Sequence, residues 1–291
     1  MKLRSRLGIV FGVTLGIALC IIFSPSVQAA TKYTVVSEKW YNVPATSYRA
    51  KCPNKKVALW NKKHTKRYGY LTDRPNTTFT LNSIAVLKHG NTKAVYYYVD
   101  AGGTKKHPKG TLGYVWRGYL TKGLAMDQLK SRYVRLAEFS NNADYANYIK
   151  YSKSQKITKA LVKALPNMKL NLDLTNIAAY KFAETMSDED PSLPDVKSSS
   201  LKTKNYTHIT YFPKVTAYLK KSNNVATATR VKKVKRILAK DYGLTTAKLN
   251  HLKNYQIGLY IAENTTGNKV KDNAPLTIKF YAFAIAQRVN H

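Results

Sequence analysis

Tryptophan, tyrosine and lysine residues before position 123 have the chemistry of a recognition surface. All three tryptophans, Trp40, Trp60 and Trp116, lie in this part of the chain. Aromatic faces can stack on sugar rings or peptide groups, while lysine and arginine attract phosphate or carboxylate. The candidate contacts are Trp60, Tyr70, Tyr96, Tyr98, Trp116, Arg117 and Tyr119. Because strand residues alternate between two faces, we expect at least half of the six aromatic candidates to be structural.

A second group of basic residues has helical spacing. Arg230, Lys233, Arg236 and Lys240 are candidates for an anion-binding helix face. An apolar stripe on the same segment would turn towards a core. The simpler interpretation is a solvated basic face that only adds to the overall electrostatic field, and the sequence leaves both interpretations open.

The sequence presents no recognisable catalytic motif. The six histidines lack the paired spacing of a zinc site, and Cys52 lacks the surroundings of a cysteine nucleophile. The string Ser199-Ser200-Leu201-Lys202 lacks the companion elements of a penicillin-recognising carboxypeptidase. We therefore assign no catalytic, metal-binding or cofactor-binding residue and expect no cofactor. Whether the chain is an enzyme stays open.

The beginning of the chain has the pattern of an export signal. Basic residues at positions 2, 4 and 6 precede an apolar stretch over residues 7–23, and Val27 and Ala29 fit a cleavage site. We predict a signal peptide over residues 1–29, cleaved after Ala29 or Ala30. No second long apolar run follows, so we expect no transmembrane segment after cleavage.

The net charge of the chain narrows the class of partner that it can bind. The chain has 49 Lys and Arg against 15 Asp and Glu, a formal net charge of +34. Removing the three basic residues of the signal peptide lowers it to +31. The field of such a chain attracts polyanions. Outside a bacterium, these are teichoic acids, phospholipid headgroups and peptidoglycan carboxylates.

The elements that would position these residues change character near position 123. Short strands with Gly and Pro turns, including a hairpin signal at His89-Gly90-Asn91-Thr92, predict a small β-barrel or β-sandwich over residues 30–123. Residues 124–291 first show helical periodicity and then two strands. The predicted fold class is β + (α+β): a basic second domain, with a polar loop at 186–204, ends in a β-hairpin.

The last predicted strand of the first domain carries a resemblance. Gly113-Tyr114-Val115-Trp116 followed by Tyr119-Leu120 resembles the closing strand of bacterial SH3-like domains. The segments Leu59-Trp60-Asn61 and Tyr70-Leu71 also fit that pattern, which covers roughly residues 45–122. The region is similar to the wall-binding modules of secreted lactic-acid-bacterial cell-surface proteins. The resemblance implies an SH3-like barrel that binds the cell wall, whereas the second domain resembles no family we recognise.

These observations give three hypotheses. The first is a secreted, cell-wall-associated Gram-positive protein that binds peptidoglycan, teichoic acid or other anionic envelope polymers. The alternative is a peptidoglycan-modifying hydrolase, for example a carboxypeptidase-like enzyme, targeted by the first domain. The third is an exported binder of nucleic acids or membrane surfaces, driven by charge alone. Non-specific binding of nucleic acids in vitro is compatible with all three.

Overall fold

The structure is a computed structural model that describes residues 32–41, 46–102, 110–131, 133–165, 167–185, 198–252, 254–266 and 277–289. The predicted signal peptide and residues 186–197 of the predicted polar loop lie outside these ranges. The rest of that loop contains two 3₁₀ turns, Ser198–Ser200 and Thr203–Asn205. Within the described ranges, none of the helices combines the length and apolar character that crossing a membrane requires.

The first part of the chain forms a curled antiparallel sheet, a half-barrel of eight strands. They are β1 (Thr34–Trp40), β2 (Ser47–Ala50), β3 (Ala58–Trp60), β4 (Arg67–Tyr70), β5 (Phe79–His89), β6 (Thr92–Ala101), β7 (Thr111–Trp116) and β8 (Leu120–Lys122). Their order is β4-β3-β7-β6-β5-β2-β8, and β1 pairs with the second half of β5. The expected hairpin is present, since His89 at the end of β5 pairs with Thr92 at the start of β6.

A β-bulge at Asn82 divides β5 between the two sides of this sheet. Before the bulge, Phe79 and Leu81 point into the main core. After it, Ala85 and Leu87 contribute to a smaller cluster on the opposite side. One extra residue in a strand reverses which side the alternate side chains take. We call the side with the smaller cluster the aromatic face, because Tyr96, Tyr98 and Tyr114 pack there.

The second part of the chain builds a four-stranded sheet with helices on both sides. Its strands are β9 (Lys169–Leu170), β10 (Tyr206–Tyr211), β11 (Tyr255–Thr266) and β12 (Thr277–Arg288), in the order β10-β12-β11-β9. The helices are α1 (Met126–Leu129), α2 (Asn142–Tyr151), α3 (Lys156–Ala164), α4 (Leu172–Ala183), α5 (Pro213–Lys221), α6 (Thr227–Tyr242) and α7 (Thr246–His251). The expected mixture of a β-sheet first and helices later is thus observed.

Both faces of this second sheet are apolar. Tyr260 and Phe280 pack against α2 and α4, whereas Leu259 and Phe283 pack against α3, α5, α6 and α7. Burial on both sides explains why β11 and β12 read as nearly continuous apolar runs. At Gly258, a Cβ atom would lie 2.4 Å from the carbonyl oxygen of Leu174. Glycine therefore allows α4 to lie directly on β11.

Local signals place the helix ends. Helix α6 stops where Gly243 adopts a left-handed conformation with φ of +64°, for which glycine is the favoured residue at a helix end. The side chain of Thr245 then accepts a hydrogen bond from the backbone N–H of Lys248 and caps α7. Helices α3 and α4 coincide with the two earlier stretches of helical periodicity.

An ion pair connects β2 of the first sheet to α2 of the second region, close to the junction between β8 and α1. Arg49 on β2 donates from Nη1 to Oδ1 of Asp144 at 3.2 Å and to the carbonyl oxygen of Leu124 at 3.1 Å. Asp144 is buried in the first turn of α2. Gly123 lies between these groups with φ of +128°, and its added Cβ would lie 2.4 Å from Oδ2 of Asp144. The predicted domain boundary at residue 123 falls at this junction.

This geometry predicts different costs for two glycine substitutions. Gly243→Ala introduces only left-handed strain, about 1 kcal/mol, because open space surrounds the position. Gly123→Ala adds displacement of the buried Asp144 carboxylate to a φ that side chains rarely adopt. We expect its loss of unfolding free energy in urea titrations to be clearly larger. Equal losses for the two variants would contradict a tightly packed junction.

Candidate functional site

Four of the seven predicted contact residues of the first region line one cleft. The cleft has a volume of about 230 Å³ and opens to solvent on one side. The four residues are Trp60, Tyr96, Trp116 and Tyr119. They are joined by Tyr33, Lys55, Lys56 and His64, and by the small apolar side chains of Val57 and Ala58. Three further predicted residues, Tyr70, Tyr98 and Arg117, lie outside this lining.

Strand register explains why these aromatic residues meet. Tyr96 on β6 pairs with Trp116 on β7, and Trp60 on β3 pairs with Tyr114 on β7. Paired residues of antiparallel strands point to the same side of a sheet, as do residues two apart on one strand. Trp60, Tyr96, Tyr114 and Trp116 therefore share the aromatic face. The middle residue of the tyrosine run, Tyr97, points to the main core instead.

Trp116 forms an exposed wall of the cleft. Its side chain is 43% exposed, and its ring lies edge-on to Tyr119 with the centroids 5.1 Å apart. The ring passes directly over Gly118, where a Cβ atom would lie 2.2 Å from the indole. Since any larger residue at position 118 would displace the indole, this glycine holds Trp116 in place.

His64 closes the cleft from the loop between β3 and β4. Asn61 shapes this loop, because its Oδ1 accepts hydrogen bonds from the backbone N–H groups of Thr65 at 2.8 Å and Lys66 at 3.1 Å. His64 adopts φ of +55°, and its ring stacks on Tyr33 with the centroids 3.8 Å apart. Its Nε2 atom is buried without a hydrogen-bond partner among the described residues.

Two lysines give the cleft its positive charge. The ammonium of Lys55 lies 5.2 Å from the ring centroid of Tyr119, and that of Lys56 lies 4.8 Å from the ring centroid of Tyr70. Both side chains are exposed. Cation–π contacts of this kind hold a lysine near an aromatic surface at small energetic cost. Tyr70 therefore supports Lys56 although it does not line the cleft.

A buried carboxylate fixes the His64 loop to β1. Glu38 accepts hydrogen bonds from Lys62 Nζ at 2.5 Å, Tyr114 OH at 2.6 Å and Ser83 Oγ at 2.7 Å. Burial raises the pKa of Glu38, but these three donors outweigh burial and hold the pKa below its ordinary value. The carboxylate stays ionised, and its three partners connect β1, β5 and β7 to the loop.

Sequence reasoning missed four lining residues: Tyr33, Lys55, Lys56 and His64. The Lys55-Lys56 pair directly precedes the strand of Trp60, so its charge and position were a usable local signal. Tyr33 and His64 reach the cleft through long-range contacts that no sequence spacing reveals. Of the six aromatic candidates, Tyr96, Tyr98 and Tyr119 pack against the buried clusters.

The basic helix needs one correction. Lys233, Arg236 and Lys240 are exposed on α6, but Arg230 is only 2% exposed and does not belong to that face. Its guanidinium forms a bidentate ion pair with Glu263, with Nη1 2.9 Å from Oε2. It also donates to the carbonyl oxygen of Leu219 and to Ser222 Oγ. Arg230 is a structural residue because a charge at this depth requires a partner.

Other sites for chemistry are sparse in the described ranges. No three His, Cys, Asp or Glu side chains there come together to hold a metal ion. Cys52 is an exposed free thiol. A larger, mainly apolar pocket of about 310 Å³ lies between α4, α5 and β12, but the predicted contact residues converge on the aromatic and basic cleft. We therefore take this cleft as the candidate site.

The ion pair of Arg230 makes a testable prediction. Arg230→Met leaves Glu263 largely buried without its counter-charge and should lower the unfolding free energy by about 3 kcal/mol or more. Arg236→Met, an exposed residue of the same helix, should change it by less than about 0.5 kcal/mol. Chemical denaturation measures both. A small effect of Arg230→Met would show that Arg230 is not required where the structure places it.

His64 makes a second prediction. Burial, with added repulsion from His89, lowers the pKa of His64 from 6.5 to about 4. As the pH falls from 6.5 towards 4, the unfolded chain binds a proton that the folded chain excludes, so stability is lost in that window. We expect His64→Gln to lose less stability than wild type between pH 7 and pH 4.5, measured by urea unfolding. His208→Gln is the control, since exposed His208 also has a positive φ of +51°. If His64→Gln lost as much stability over this pH range as wild type does, the assignment to His64 would be refuted.

Comparison with known proteins adds no assignment to this geometry. The chain matches no protein-family model, no curated protein and no solved structure. Function is a property of sites more than of folds. It must therefore be argued from the cleft and its surroundings.

Proposed function

We propose that the chain is an exported, cell-wall-associated binding protein whose first sheet holds a unit of an anionic wall polymer in the cleft. The observation that carries the proposal is the convergence of Trp60, Tyr96, Trp116 and Tyr119 with Lys55 and Lys56 around one opening. Export is supported by the signal-peptide pattern of residues 1–29. We include secretion and retention at a Gram-positive wall in the same proposal.

The chemistry of the cleft fits a sugar unit with a negative group. The flat faces of indole and phenol rings pack against the C–H faces of sugar rings, and hydroxyl groups project from the edges of those sugar rings. Lys55 and Lys56 supply the charge that phosphate or carboxylate requires. Teichoic acids and peptidoglycan both provide this combination.

The resemblance to wall-binding SH3-like modules supports the same proposal. It depends on the segment from Gly113 to Leu120, which contains Trp116 and Tyr119 of the cleft. Gly113 packs tightly, since its added Cβ would lie 3.0 Å from Cβ of Leu59. The close contact with Leu59 therefore explains why this motif has glycine at position 113. Trp116 and Tyr119, which follow in the motif, line the cleft.

The second region contributes charge to this proposal. Lys233, Arg236 and Lys240 remain an exposed row on α6. Exposed charges act over about a Debye length, ~8 Å at physiological salt, so they attract a polyanion without selecting its structure. We assign selection to the cleft and general attraction to this helix and to the other exposed lysines.

The proposal is tested by binding residues 30–291 to purified wall sacculi, before and after removal of teichoic acid. Trp116→Ala should weaken retention about tenfold, and a Lys55→Gln/Lys56→Gln double variant should weaken it and reduce its salt dependence. Tyr151→Ala is the matched control, because Tyr151 is also an exposed aromatic residue with a lysine over its ring. It should bind as wild type.

Two outcomes would reject the proposal. One is absence of retention of the wild-type protein on both wall preparations. The other is equal retention of wild type, Trp116→Ala and the lysine double variant, which would leave the cleft without a role. Release of soluble muropeptides during the incubation would instead show an enzyme.

A further inference from the structure

The cleft is small for a polymer ligand. Pockets that enclose a drug-sized molecule usually exceed ~300 Å³, whereas this cleft has about 230 Å³. It can hold one sugar-sized group and its charged substituent. A polymer seated there must continue across the protein surface, so the neighbouring surface decides whether one unit or several are recognised.

The aromatic face continues from the cleft to the edge of the first sheet. Tyr98 follows Tyr96 on the same side of β6, roughly 7 Å further along the strand. Tyr98 pairs with Ser83 on β5, and Ser83 pairs with Trp40 on β1. Since paired residues share a side, Trp40 belongs to the same face as Trp116. The two tryptophans are three strand spacings apart, roughly 15 Å along the sheet.

Trp40 is the more unusual of the two. It is 58% exposed, the largest exposed fraction among the described large hydrophobic residues. Its ring stands edge-on against Tyr98, with the centroids 5.7 Å apart and the planes at 66°. One side of the indole is thus held by Tyr98 while much of the ring meets solvent. Exposed aromatic surface of this kind is costly unless a partner covers it.

The two ends of this row differ in charge. Lys55 and Lys56 lie at the cleft, whereas the layer between the ends is built on the buried Ser83 and Tyr114 and the half-buried Glu38, which are joined by hydrogen bonds. Lys62, which lies over the Tyr114 ring, is already paired with Glu38. This layer favours uncharged rings that stack on Tyr98 and Trp40.

We propose that the cleft and the Trp40–Tyr98 platform form one extended site for a linear glycan, with an anionic unit in the cleft and neutral sugar rings on the platform. The inference rests on the proposed function and makes it more specific: the ligand is a glycan chain of several units and not a stem peptide. Affinity should therefore depend on the number of sugar units.

The test uses peptide-free glycan strands released from sacculi and sorted by length, with residues 30–291 as the protein. Wild-type affinity should increase as fragments grow long enough to span both tryptophans. Trp40→Ala should leave the shortest bound fragment unaffected and weaken the longest about five- to tenfold, the loss expected for one aromatic contact. Trp116→Ala should weaken fragments of every length. Tyr151→Ala is again the control, and thermal unfolding verifies that each variant is folded.

The outcomes separate this inference from the proposed function. Equal affinity of Trp40→Ala and wild type at every length would overturn the extended site, even if Trp116→Ala still binds weakly and the cleft keeps its role. Binding of isolated stem peptides with no binding of peptide-free glycan would also overturn it. Absence of wild-type binding to sacculi and to all fragments would remove the proposed function itself.

Discussion

The bulge at Asn82 is the constraint on which the candidate site depends. Without the extra residue, the odd-numbered side chains of β5 would all point into the main core. With it, the sheet has two apolar sides: one filled by Phe79 and Leu81 and one built on Ala85 and Leu87. On the second side, Tyr114 is buried, whereas Trp60, Tyr96, Tyr98 and Trp116 remain partly exposed. The bulge therefore gives the sheet a second, aromatic side that is only partly covered.

The placement of charged side chains is a second constraint on the structure. A chain with a formal charge of +34 must place most of its cations in solvent, and three of the buried or half-buried ones pair with a carboxylate. Arg230 has Glu263, Lys62 has Glu38 and Arg49 has Asp144. Three acids out of 15 are thereby committed to positioning strands and helices. The remaining positive charges together produce an electrostatic field around the molecule.

The sequence was most informative where signals are local. The hairpin at His89 and Thr92, the left-handed stop at Gly243 and the cap at Thr245 follow from residue type and spacing alone. Strand alternation also requires that residues 96–98 do not all face the same side, and Tyr97 packs against the main core. Four of the seven proposed contacts of the first region line the cleft, because aromatic residues on adjacent strands of one face have few other places to meet.

The sequence was least informative where contacts are long-range. The row of basic residues on α6 gave no sign that Arg230 differs from Arg236, because the difference is made by Glu263, 33 positions later. Tyr33 lies directly before β1 and His64 lies in the loop between β3 and β4, and their rings stack on each other beside the cleft. The packing of helices on both faces of the second sheet depends equally on partners that periodicity cannot name.

The position of β12 has a consequence for the order in which the second region can fold. This strand, residues 277–288, lies between β10 and β11 and contributes to both apolar clusters of the second region. A polypeptide that emerges amino terminus first supplies this central strand after every other described strand and helix. The second region therefore cannot complete its sheet until this final segment is available. Late closure of this kind is slow, because non-local pairing delays folding.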